Sequence, residues 1–122
     1  MKYVIMFTST PELDAAVPPE RAEAVYRRVF DWFGENSEQI SDSGAELHPV
    51  STATTVKYGG SAPVVADCPF SEAKEVIGGF SVLDVEDLDA AIAIVKTWPM
   101  LEHPGVAVEI RPMVVDYSHM QQ

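Results

Sequence analysis

The chain has 122 residues, 47% of them apolar, and its 19 acidic and 8 basic side chains give a formal net charge of −11. Such a length and composition suit one cored domain spanning residues 1–122 rather than a disordered tail. The acidic field repels nucleic-acid phosphate and anionic membrane, and no apolar run approaches the roughly 18 residues needed to cross a bilayer.

The opening, MKYVIMFTST, has one lysine and a short apolar run. It is too short for a signal-peptide core and lacks a small-residue cleavage site, so it reads as the first strand of a cytoplasmic protein. Within it Tyr3, Ile5 and Phe7 share one side and Val4 and Met6 the other. A strand that is apolar on both sides is expected to be covered on both. STPELDAAVPP then carries loop residues, and Pro19 suits the first turn of a helix. Ala22, Val25, Val29, Phe33 and Ile40 follow near helical spacing, with Glu23 and Arg27 among the charges opposite. This spacing predicts a long first helix, stopped at Gly44.

AELHPV, TATTVKY and APVVAD read as short strands, with GGS as the hairpin turn between the last two. VIGGFSVLDV is a further strand, in which Gly78 and Gly79 predict a bulge or a close backbone approach. EDLDAAIAIVKTW is a second helix with Asp87 as its N-cap and Leu88, Ala91, Ile92, Val95 and Trp98 as its apolar stripe. Pro99 blocks its continuation, and GVAVEIRPM is the last strand.

Without the hairpin the order is strand, helix, strand, strand, helix, strand. That is an α+β, ferredoxin-like βαββαβ pattern with an inserted β-hairpin. Two helices cover one face of such a sheet, so the other needs a partner, and a sheet-to-sheet homodimer is the simplest. In the last strand Val106, Val108 and Ile110 alternate with Glu109 and Arg111. The charged pair is expected either on the uncovered face, toward a ligand, or at a solvated edge.

The stretch ADCPFSEAKEVIGGFSVLDVEDLDAAIAIVKTWP resembles the signature of YCII-related, DGPF-domain proteins, and STATTVKY and VEIRPM resemble that family's hairpin and closing strands. The resemblance covers nearly the whole chain and implies a dimeric α+β barrel without a secure activity. Some distant relatives are enzymes with a His–Asp pair, which does not transfer here residue by residue. Others are linked to extracytoplasmic-function sigma factors, a partner implied by family analogy alone. The chain departs from the signature at Cys68, where glycine is usual, and at Ala73, where threonine is usual. Extended geometry before Pro69 tolerates the first change.

The chemistry concentrates in DCPFSEAKE. Asp67 and Glu75 are candidate acid–base groups, and Phe70, Glu72 and Lys74 are candidate ligand contacts at the mouth of a small-molecule cleft. The same residues also read as a solvated turn or as ties between loop and sheet. Cys68 has acidic sequence neighbours that favour the thiol, which suits a packed turn residue better than a nucleophile. As the chain's one cysteine it forms neither a disulfide framework nor a cysteine-cluster zinc site. His48 is a candidate general base, and His103 and His119 fall in loop and tail without metal-ligand spacing. Arg111 with Glu109 is the candidate anion site. The expectation is a homodimer with a cleft for a small organic ligand, worked by acid–base chemistry without a metal or cofactor. The alternative is a non-catalytic binding or regulatory protein.

Overall fold

The computed structural model describes residues 1–12, 19–66 and 75–116, with the backbone alone described for residues 19–22. The elements in chain order are β1 (Lys2–Ser9), α1 (Pro19–Glu35), β2 (Ile40–Glu46), β3 (Thr55–Lys57), β4 (Val64–Ala66), β5 (Val76–Asp84), α2 (Leu88–Val95) and β6 (Ala107–Pro112). Four strands form one antiparallel sheet in the order β2-β5-β1-β6, and among the described residues β3 and β4 form a separate two-stranded ribbon. The architecture is α+β and ferredoxin-like, with a hairpin inserted between β2 and β5.

The period-2 alternation of the strands decides what each face holds. Tyr3 stands opposite Leu83, Ile5 lies between Ser81 and Ile110, and Phe7 lies between Gly79 and Val108. These rows carry the core: Tyr3, Ile5 and Leu83 are buried with Trp32 of α1, Ala91 and Val95 of α2, and Trp98 just beyond. Trp98 packs at 4.2 Å from Phe7 and at 5.0 Å, edge-on, from Trp32. The Trp32 Nε1–H donates to Thr97 Oγ1 at 2.8 Å, which gives the buried indole its polar partner. Ser81, also fully buried, donates to the Ser43 carbonyl at 2.7 Å.

The second helix forms as its sequence suggests. Asp87 caps it, accepting from the Ala90 N–H at 2.9 Å, and Pro99 opens a separate short turn. Its inward stripe runs through Ala91, Ile94, Val95 and Trp98, while Leu88, one turn earlier on the same side, is 47% exposed at the helix start. Glu23 and Arg27 pair across one exposed turn of α1 at 3.5 Å.

The first helix is shorter than its apolar spacing suggests. It stops at Glu35, where the backbone N–H and the side-chain amide of Asn36 both donate to the Trp32 carbonyl. Ile40 opens β2 instead of closing the helix. Gly44 is not the helix stop but lies inside β2 at φ 70°, where the ladder to β5 shifts between Asp42 and Ala45. Asp42 accepts from the Gly44 N–H at 2.7 Å, and a Cβ at Gly44 would fall 1.8 Å from the Phe80 carbonyl oxygen. AELHPV is therefore not a strand of its own. The ladder ends soon after Glu46, with Leu47 N–H donating to Gly78 O at 2.8 Å, and His48 and Pro49 lie beyond it.

The double glycine behaves as expected. Phe7 pairs with Gly79 and Thr8 with Ile77, so Gly78 is the extra residue of a bulge. At Gly79 the β2 backbone comes so close that a Cβ would lie 2.8 Å from the Ala45 carbonyl oxygen.

Candidate functional site

The rows that face away from the helices define the candidate site. Nearest the C-terminal end of β1 is Ile77–Thr8–Ala107, then Phe80–Met6–Glu109, then Val82–Val4–Arg111. At about 3.3 Å of rise per residue, successive rows stand about 7 Å apart. The centre of this face is apolar. Ile77 is 49% exposed and Phe80 38% exposed.

The β6 edge supplies the charge. Glu109 and Arg111 point to the open face, as their alternation with Val108 and Ile110 requires, and Arg111 Nε donates to Glu109 Oε2 at 2.5 Å. Both side chains are at least half exposed, so the pair contributes about 0–1 kcal/mol to stability. Among the described residues this contact uses Nε, which leaves the paired Nη donors in the geometry that grips a carboxylate or phenolate.

His48 and Glu75 lie at one end of the sheet. His48 follows Leu47, the last residue of β2 tied to Gly78, and Glu75 precedes Val76, which pairs with Ser9. Both are exposed. Glu109 belongs to the second row from that end and Arg111 to the third, so the fold spreads these groups along the face. Asp67, Cys68, Phe70, Glu72, Ala73 and Lys74 fall outside the described residues. Among the described residues no three His, Cys, Asp or Glu side chains gather as metal ligands.

A second polar–aromatic cluster lies on the outer side of α1. Tyr26 donates to Glu46 Oε1 at 2.8 Å, joining the helix to the end of β2. That bond to a carboxylate, with partial burial and the negative charge beside it, holds the phenol above its ordinary pKa. Phe30 stacks against Tyr26 at 6.2 Å and is 68% exposed. The signal was available in the sequence as an aromatic pair four residues apart among the charges of α1. Nearby, Arg28 grips Glu102 at 2.6 and 3.2 Å and holds that carboxyl below its usual range.

A family model described as the YCII-related domain matches residues 1–114. An uncharacterised protein of Rhizobium meliloti (strain 1021) is 30% identical over 71 residues, which are 58% of this chain and 57% of that relative. The match thus spans little more than half of the relative's length. Among solved structures, the fold is similar to 5-chloro-2-hydroxyhydroquinone dehydrochlorinase (TftG) of Burkholderia phenoliruptrix AC1100, in complex with 2,5-dihydroxybenzoquinone. The TM-score is 0.54 and the identity 16%, over 93% of this chain and 94% of that one. At that identity the likeness is one of fold. Among the described residues no helix is long and apolar enough to cross a membrane.

Proposed function

We propose, from the premise that the chain belongs to the YCII-related family, that two copies set their open sheet faces together and hold a small organic molecule between them. Each copy contributes one domain. The observation that carries this reading is the open face itself, with Val4, Met6, Ile77, Phe80 and Val82 in the middle and the Glu109–Arg111 pair at one edge. An apolar surface with few polar groups suits a planar or aromatic ligand with one anionic end. The structurally similar dehydrochlorinase binds a molecule of that kind, 2,5-dihydroxybenzoquinone.

In this reading Arg111 binds the anionic oxygen through its Nη donors, while Glu109 keeps its contact with Nε. Asp67, Glu75 and His48 are the acid–base candidates, and Phe70, Glu72 and Lys74 are the candidate ligand contacts. Proton transfer at a ring or enol position needs no cofactor when a carboxylate or imidazole stands within hydrogen-bond reach of the proton.

The test is a thermal-shift and turnover screen of small hydroxylated quinones, hydroquinones and keto acids, including 2,5-dihydroxybenzoquinone, on wild type and Arg111→Ala. The expected result is saturable stabilisation of the wild type by an anionic aromatic compound, lost in the variant. Turnover of the bound compound makes the protein an enzyme, and binding without turnover makes it a binding module. No stabilisation across the panel would overturn the cleft.

A further inference from the structure

We infer that Lys2 joins Arg111 in holding the ligand, so that the compound this face takes is a ring with two anionic oxygen groups on adjacent carbons. This rests on the cleft proposed above and names its ligand class.

The placement follows from the ladder. Alternation along β1 puts Lys2 on the side of Val4 and Met6, away from Tyr3 and Ile5 of the core. Lys2 stands across from Met113, whose N–H donates to the Lys2 carbonyl at 2.8 Å, and Val4 stands across from Arg111. Lys2 and Arg111 are therefore diagonal cross-strand neighbours on one face, about 7–8 Å apart at the backbone, a gap that long side chains close. Val4 lies between them, two residues from Lys2 along β1 and opposite Arg111 on β6. The four strands of the sheet hold two bases in all, and these are the two. A chain with 8 basic against 19 acidic side chains thus gathers both at one end of one sheet face.

The acids nearby have other cations. Glu109 takes Arg111 Nε, and Asp84, opposite Lys2 on β5, is 3.6 Å from the Met1 amine. Among the described residues the Lys2 ammonium makes no hydrogen bond or ion pair. Two donor groups remain, and they differ in kind. The Nη pair of Arg111 is a planar fork that matches a carboxylate, and the Lys2 ammonium is a compact point charge. Brought together over Val4 the two cations repel, unless negative charge lies between them. One anionic group satisfies the fork alone. A second on the adjacent ring carbon comes within reach of Lys2, whereas a second at the opposite end of the ring points away from it.

The experiment titrates the full chain by calorimetry with phthalate and terephthalate, which carry the same charge on adjacent and on opposite ring carbons. Wild type is compared with Lys2→Gln and Arg111→Ala. The expected result is a wild-type preference for phthalate of about tenfold or more, reduced to within about twofold in Lys2→Gln, with both compounds weakened in Arg111→Ala. A wild type that binds a compound of the quinone and keto-acid panel through Arg111 but does not prefer phthalate would overturn the role of Lys2 and leave the cleft standing. Equal weakening of both compounds by Lys2→Gln would do the same, since it marks general charge attraction in place of a contact. A wild type that binds neither phthalate, nor terephthalate, nor any compound of the panel would overturn both.

Discussion

The two faces of β1 are nearly equal in sequence and opposite in the structure. Tyr3, Ile5 and Phe7 look into the helices, and Val4, Met6 and Thr8 look out from the chain. The inner set is sealed by Trp32, Trp98 and α2, while the outer set lies beside Phe80, Ile77 and the charged edge of β6. Apolar composition records burial in the working assembly, whereas the fold of one chain accounts for only part of it. A strand that is hydrophobic on both sides in a sheet with helices on one side is thus an argument for the proposed dimer.

The sharpest way to separate the faces is to damage each in turn. Trp98→Ala removes the ring that touches Phe7, Trp32 and Phe33. It should destabilise the fold by about 3–5 kcal/mol, read as a lowered urea midpoint. A midpoint close to wild type would mean that the inner face is not the main source of stability. Phe80→Arg adds a charge to the outer face and should leave the circular-dichroism spectrum intact while converting the proposed dimer to monomer by light scattering. Its melting temperature should also lose dependence on protein concentration. An unchanged dimer would show that the outer face is not the interface.

The smallest effect belongs to the rim, at Arg28 and Glu102. The guanidinium lowers the folded-state pKa of Glu102, so the pair's contribution is present above the ordinary carboxylate range and is lost as pH falls through the lowered one. Both groups are exposed, so the effect is slight. Glu102→Gln should lower the urea midpoint a little at neutral pH and not at all in acid. A difference that grows in acid would reverse the sign of this pair.

The elements that could be read from the sequence are those in which one physical signal dominates. β1, β5 and β6 show two-residue alternation or unbroken apolarity, the hairpin is marked by its GGS turn, and α2 by Asp87. The end of α1 was misleading because Ile40 stands seven residues after Phe33 and continues the helical spacing into a strand. The actual stop is Asn36, which satisfies the Trp32 carbonyl. β2 was shifted because ISDSGAE has almost no alternation. An edge strand that contributes one core residue and is broken by a kink at Gly44 carries little pattern. For the candidate site, alternation put Glu109 and Arg111 on the face opposite Val108 and Ile110 and left two readings open, toward a ligand or at a solvated edge. The same-face pair that the second reading allowed is present, with both side chains at least half exposed. The Tyr26–Glu46 link was missed because it joins residues 20 positions apart whose contact depends on where β2 begins.

The two adjacent glycines of β5 differ in how freely each can drift. A methyl group at Gly78 would meet nothing nearer than the Phe7 carbonyl oxygen at 3.9 Å, whereas one at Gly79 would press into the β2 main chain. A random walk through neighbouring sequences can therefore cross position 78 and is halted at position 79. What reads as one repeated letter is one replaceable residue followed by one that the neighbouring strand holds in place.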